Sequence, residues 1–313
     1  MTTSVPSRAF PKMAAPDFTR DLDLTLAELN ALLELTAEVK RRPQEYSRAL
    51  SGRYASLLFE KPSLRTRLTF ELAIKQLGGD SITSSGPIGG REPIKDVARN
   101  LDRWTQVIVA RTFSQRTIDE LARWSAVPVI NALSDLYHPC QALADIFTLK
   151  ERRGTLAGLK LAFIGDGNNV ANSLMLTCAR LGVNVAIATP RGYEPKTRIV
   201  SEALELAAET GANLTAGHDA VPAASGADAV YTDVWASMGQ EEEAAQRRFD
   251  FQPFQVTEQL MALARPDAIF MHCLPAKRGE EVTDAVIESG QSAVFDQAEN
   301  RLHVQKGLLL MLL

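Results

Sequence analysis

With 313 residues the chain is too long for one ordinary core, so two domains of about 150 residues each are expected. Hydrophobic residues make up 45 % and charged residues 23 %, and the formal net charge is −4. A general nucleic-acid or membrane-surface binder, which needs a basic excess, is therefore excluded, whereas a small basic pocket for an anion is not.

Three widely spaced cysteines, Cys140, Cys178 and Cys273, form no disulfide framework and point to a reducing compartment. Residues 1–13 hold no apolar signal segment. The closing run from Gly307 to Leu313 is far shorter than the roughly 20 residues that cross a bilayer. A cytoplasmic protein with no membrane and no nucleic-acid partner is expected.

In chain order, residues 1–20 carry Pro and Ser without periodicity and read as a loose arm. Thr25-x-x-Glu28 is a capping box for a helix with Leu26, Leu29, Leu32, Leu33 and Val39 at helical spacing, and Pro43 stops it. Residues 55–60 read as a buried strand, and a Pro-Ser turn leads into a helix over 65–77 ended by Gly78-Gly79. A strand over 107–111, a helix capped by Thr117-x-x-Glu120, a strand over 127–132 and a helix from Pro139 to Arg153 follow. The second half repeats the alternation, with strand 159–164, helix 168–181, strand 183–188 and short strands at 229–232 and 268–270. This pattern predicts an α/β fold of two doubly wound domains, each a parallel sheet flanked by helices. The hinge falls at Gly154 to Gly158, dividing a first domain over 1–153 from a second over 154–297.

Several strand ends carry chemistry. Phe59-Glu60-Lys61-Pro62-Ser63-Leu64-Arg65-Thr66-Arg67 lies where a strand gives way to a helix, so free N–H groups and the helix dipole face an anion there. Ser63 and Thr66 add hydroxyls, and Arg65 can grip a phosphate with two parallel bonds. Any single arginine of the string reads equally well as a solvated helix start. In His138-Pro139-Cys140-Gln141, Pro139 suits a first helical position, leaving His138 at the cap; a lone histidine there is usually structural, as is Asp145.

Gly165-Asp166-Gly167-Asn168-Asn169-Val170 suggests a dinucleotide turn but lacks the third glycine, and the next strand ends in Ala188-Thr189-Pro190 rather than an acid. Asp233 ends a strand, where ligand-binding acids collect in open α/β sheets. His272-Cys273-Leu274-Pro275 has neither the paired Cys nor the paired His spacing of a zinc site, so no metal is expected. Arg301 by default caps or faces solvent.

Taken together and in this order, FEKPSLRTR, HPCQ, GDGNN, DVWASMGQ and HCLP closely resemble the ornithine carbamoyltransferases, over Phe59 to Arg301. The resemblance implies a first domain binding carbamoyl phosphate, a second binding the amino acid, and a C-terminal helix (298–313) returning to the first domain. It also implies a homotrimer with active sites at subunit boundaries, and no cofactor.

Position by position it implies that Ser63, Arg65 and Thr66 hold phosphate, with Leu64 donating only its backbone N–H where Thr is common. Arg111 would bind phosphate and carbonyl oxygen, His138 the carbonyl oxygen, Gln141 the carbamoyl amine, and Arg301 the same group. Asn169, Asp233, Ser237 and Met238 would bind ornithine, and Cys273 would lie beside the reacting amine with Asp233. Leu274 would join the carbamoyl-phosphate site, its bond to Pro275 cis. Pro87 stands where a neighbouring subunit usually sends a residue to the phosphate, and Arg91 is the candidate substitute.

On this reading Arg65, Arg111, His138, Asp233 and Cys273 are the catalytic set. Putrescine or N-acylated ornithine are the alternative acceptors, and a catalytically inactive binding subunit the remote one.

Overall fold

The computed structural model describes residues 10–237 and 241–313, and all the strands named here pair in parallel. The first sheet holds β1 (Tyr54–Phe59), β2 (Asp80–Ser85), β3 (Val107–Arg111) and β4 (Val129–Leu133) in the order β2-β1-β3-β4. The second holds β5 (Lys160–Ile164), β6 (Asn184–Ala188), β7 (Leu214–Gly217), β8 (Ala229–Thr232) and β9 (Ile269–His272) in the order β7-β6-β5-β8-β9. Central strands such as β1, β3 and β5 are apolar on both faces and buried, as a sheet covered by helices on each side requires.

The helices are α1 (Leu26–Arg41), α2 (Leu64–Gln76), α3 (Ile94–Trp104), α4 (Gln115–Trp124), α5 (Pro139–Arg153) and α6 (Asn169–Arg180). They continue as α7 (Thr197–Thr210), α8 (Ala220–Ala224), α9 (Ala244–Phe251), α10 (Glu258–Met261), α11 (Asp284–Ile287) and α12 (Val294–Leu312). The expected α/β architecture of two doubly wound sheets is what the chain adopts.

The Thr25 capping box forms, with Glu28 N–H donating to Thr25 Oγ1 at 3.2 Å and Thr25 N–H to Glu28 Oε2 at 2.7 Å. Thr117 is not a cap. Its helix starts earlier and is capped by Ser114, whose hydroxyl accepts from Arg116 N–H at 3.3 Å. β2, α3, α7 and β7 are elements that the sequence pattern left unnamed, as are the short helices α8 to α11. The last helix begins at Val294 rather than 298 and packs against α1, α2 and α5 of the first sheet's layer, with Gly307 set against Thr36 and Leu32 of α1.

Each sheet reverses its strand order once, between β1 and β3 and between β5 and β8. A crevice opens at the carboxyl end of such a switch point. The two crevices face each other, and the loops that leave β1, β3, β5, β8 and β9 line the space between them.

Among the described residues no helix is long and apolar enough to cross a membrane.

Candidate active site

The facing crevices merge into one cleft of about 760 Å³. Its first-sheet wall is the turn after β1 and the start of α2. Leu64 stands 64 % exposed at that helix start, while Thr66, two residues on, is 1 % exposed. The Thr66 hydroxyl accepts from Arg111 Nη1 at 3.5 Å and from Arg301 Nη2 in a short contact. Arg111 ends β3 and Arg301 comes from α12, so three elements distant in sequence converge on one hydroxyl.

Arg111 and Arg301 are buried, and the Nε of each has no partner in the protein. Burial, then the Arg301 charge, pulls Arg111 down to about 10, which leaves it a cation at neutral pH. Burial also lowers Arg301 and Arg65 from their ordinary values. His138 caps α5 beside them. Burial, then Arg301 and Arg111, holds its imidazole well below the usual histidine range, so the ring is neutral, and its Nδ1 is buried without a partner. Two guanidinium N–H groups and a ring nitrogen are thus buried without a protein partner in residues that line one wall.

The opposite wall belongs to the second sheet. Asp233 follows β8, and its Oδ1 accepts from the Cys273 thiol at 3.0 Å while Oδ2 accepts from Asn168 Nδ2 at 2.8 Å. Burial, then the Asp233 charge, pushes the Cys273 thiol well above its ordinary value, so it stays protonated and donates. Asn168 also caps α6, accepting from Val170 and Ala171 N–H. Gly167 is required just before it: a Cβ there would lie 2.2 Å from Pro195 N, in the loop that forms the cleft's far rim. Within that wall Arg247 meets Asp166 at 3.1 Å and donates to the Trp235 carbonyl at 3.0 Å; burial raises Asp166 to about 6.

His272, at the end of β9, lies beside Asp233 and Cys273, and the three offer ligand atoms within 4.8 Å of one another. They do not fit a metal. Leu274 N–H donates to His272 Nδ1 at 2.8 Å, so Nε2 carries the proton and donates to buried Glu281 at 3.1 Å. Both ring nitrogens are spent. The Leu274–Pro275 bond is cis, and Leu274 takes a left-handed φ of 56°.

Ser63, Leu64, Arg65, Thr66, Arg111, His138, Asn169, Asp233, Ser237, Cys273, Leu274 and Arg301 all line the cleft. Gln141 does not. It lies fully buried behind the wall, with its Nε2 donating to Asp145 Oδ1 at 2.8 Å and its Oε1 unpaired. The Asn169 amide donates to the Ser134 carbonyl at 2.6 Å, which leaves Asn168 as the amide that holds Asp233. An Asn at a strand-to-helix turn was the available signal for that role. Met238 lies outside the described residues. Pro87 and Arg91 sit in the loop between β2 and α3, away from the cleft lining; Glu60 pins that loop by accepting from Ile88 N–H at 2.9 Å.

Residues 17–151 match the carbamoyl-phosphate-binding domain of the aspartate/ornithine carbamoyltransferases, and residues 157–312 match their aspartate/ornithine-binding domain. The chain belongs to the aspartate/ornithine carbamoyltransferase family. Within it the chain is 52 % identical to the ornithine carbamoyltransferase of Parafrankia sp. (strain EAN1pec), covering 96 % of this chain and 97 % of that one. The solved ornithine carbamoyltransferase of Pyrococcus furiosus superposes with a TM-score of 0.93 at 47 % identity, over 96 % of this chain and 97 % of that one. An acetylornithine transcarbamylase complexed with acetylcitrulline is similar at 34 % identity and a TM-score of 0.86, over 95 % of this chain and 99 % of that one.

Proposed function

We infer that this chain transfers the carbamoyl group of carbamoyl phosphate to the side-chain amine of L-ornithine, releasing L-citrulline and phosphate. The observation that carries this reading is the polarity of the cleft: unpaired buried cations on one wall and a carboxylate–thiol pair on the other. A dianionic leaving group suits the first and a cationic amine the second.

The amine attacks the carbonyl carbon, the bond from that carbon to the phosphate oxygen breaks, and the amine loses a proton. Holding both substrates in line supplies roughly 7–11 kcal/mol of the barrier. Ser63, Arg65, Thr66 and the Leu64 N–H hold the phosphate at the start of α2. Arg111 and Arg301 stabilise charge on the phosphate and the carbonyl oxygen. His138, being neutral, donates one N–H to that oxygen, and Leu274 completes the carbamoyl side, with Gln141 buried behind it against Asp145.

Ornithine arrives with its side-chain amine protonated, at a pKa of about 10.4 if it behaves as lysine does. Asp233 and Cys273 orient it and ease its deprotonation, with the departing phosphate as final acceptor. Asn169, Ser237 and Met238 receive the amino-acid end.

The division of labour falls at Gly154, with 1–153 serving carbamoyl phosphate, 154–297 serving ornithine, and the last helix returning Arg301 to the first. Family membership supports a cytoplasmic homotrimer, in which Pro87 or Arg91 of a neighbouring copy approaches the phosphate.

The test is ureido product formed from carbamoyl phosphate with ornithine, putrescine, N-acetylornithine or aspartate at equal enzyme. Ornithine far ahead of the others is expected. Preference for another amine would retain the phosphate wall and overturn the ornithine assignment, and silence with all four would make the chain a binding subunit.

A further inference from the structure

Behind the cleft lies a buried carboxyl group that the reaction scheme leaves unused. Asp21 sits in a single 3-10 turn, Asp21–Asp23, just ahead of α1, and is 5 % exposed. The strand-like residue before that turn, Phe18, is stitched to β4 by two main-chain hydrogen bonds, at 2.9 and 2.8 Å, so the segment belongs to the first sheet's layer. Its carboxylate nevertheless reaches the second layer. Ser173 Oγ donates to Asp21 Oδ2 at 2.7 Å and Thr177 Oγ1 to Oδ1 at 3.2 Å, both from one face of α6. Arg180, on the same helix, spends its guanidinium on the main-chain carbonyls of Asp21 (3.0 Å) and Leu24.

The polarity of this contact is set by chemistry. The Ser173 hydroxyl has one proton and gives it to Asp21 Oδ2, a carboxyl that burial raises to about 7 and that the Ser173 and Thr177 hydroxyls pull back toward its ionised form. The same oxygen then accepts the main-chain N–H of His138 at 2.9 Å, a group that can only donate. The order is therefore His138 N–H to Ser173 oxygen, and Ser173 proton to Asp21. His138 is a place where such support matters: its backbone, at φ −131° and ψ 64°, lies outside the helix that Pro139 begins, and its own side chain makes no capping hydrogen bond. Two further residues of α6 hold the loop leading to it, Asn169 through the Ser134 carbonyl at 2.6 Å and Asn172 through the Leu136 carbonyl at 3.1 Å. Of the three, Ser173 is the one that grips His138 itself, and the one backed by a buried carboxylate.

We propose that Asp21 and Ser173 are positioning residues for carbamoyl transfer, a buried carboxylate orienting a hydroxyl that fixes the backbone of His138 and hence the place of its imidazole in the cleft. This rests on the role given to His138 above. A carboxylate suits the task because it only accepts, whereas an amide at position 21 can turn its NH₂ toward Ser173 and compete with the His138 N–H for the same oxygen.

The test is a double-mutant cycle on the full chain with carbamoyl phosphate and ornithine. Ser173→Ala is expected to lower kcat by about tenfold or more, since misplacing a reacting group by about 1 Å costs on the order of 10². KM for ornithine should hold, because Asp233 and Cys273 are untouched. In a His138→Ala background the Ser173→Ala loss should disappear, as coupled residues are non-additive.

Unchanged kcat in Ser173→Ala, or the same loss with and without His138, overturns the proposal. Asp21→Asn, which keeps the side-chain volume, is expected to lower kcat in the same direction by a smaller factor and only when His138 is present. It decides the matter if Ser173→Ala does not fold, and an unchanged kcat there is then fatal to the proposal. Full turnover in His138→Ala alone would instead remove the role of His138, a failure distinct from that of the positioning chain.

Discussion

On the first-sheet wall of the cleft, Arg111 and Arg301 meet one threonine hydroxyl with the Arg65 charge close by, and the Nε of each of the two and His138 Nδ1 have no protein partner. On the second-sheet wall, each oxygen of Asp233 already has one, Cys273 for one and Asn168 for the other. The first wall is held in a repulsive state that an anion relieves. The second is partly satisfied in advance, with two donors on Oδ1 and one on Oδ2, so an incoming amine meets an acceptor already held in place. Buried like charges cost stability that a ligand repays, and this is how binding energy is directed at the group where charge develops.

The sharpest way to break this contrast is Arg111→Met. Turnover is expected to fall by about 10²–10³ for one lost charge donor. The thermal midpoint without substrate should hold or rise, because a desolvated like charge has gone. A large drop in that midpoint would mean the wall is not strained. Arg65→Ala comes next, with a turnover loss of at least about 10² from the half-buried lip of the same wall. Retained turnover in a normally folded variant would remove Arg65 from the phosphate clamp.

On the satisfied wall the effects are smaller. Cys273→Ala strips one donor from Asp233 Oδ1, which keeps its own Val234 N–H at 2.8 Å. Weaker use of ornithine and a shifted pH profile of kcat/KM are expected, with turnover surviving. An unaltered profile would reduce Cys273 to packing.

The least effect concerns stability. Asp145 accepts from Gln141 and Gln297 beneath the cleft, and burial raises its carboxyl from 3.8 to about 7. A folded pKa above the unfolded one means the folded chain binds the extra proton between those values, so the stability linked to it fades as pH climbs from 3.8 to about 7. Thermal midpoints across that window should fall for the parent relative to Asp145→Asn. Parallel curves would show that Asp145 does not titrate there.

Much of the cleft was legible because its residues sit at strand ends, where a sequence pattern marks both the strand and the turn after it. Arg111, Asp233 and the Ser63–Thr66 helix start are of this kind. Arg301 was legible only through resemblance, since nothing in Glu299-Asn300-Arg301 distinguishes a pocket residue from a surface cap. Gln141 illustrates the reverse: one helical turn from His138, it faces Asp145 and the interior, because its place around α5 sets its direction.

Periodicity and turn residues alone determined the α/β alternation, the Thr25 cap and the two strand-to-helix turns, because these depend on neighbours within a few positions. Tertiary structure decided what no local pattern carries. It chose Asn168 over Asn169 as the partner of Asp233, closed off His272 through Glu281, and set Asp21 against α6. Each depends on which side chains meet across 9 to 152 residues of chain, and that is settled only when the two sheets pack with their switch points face to face.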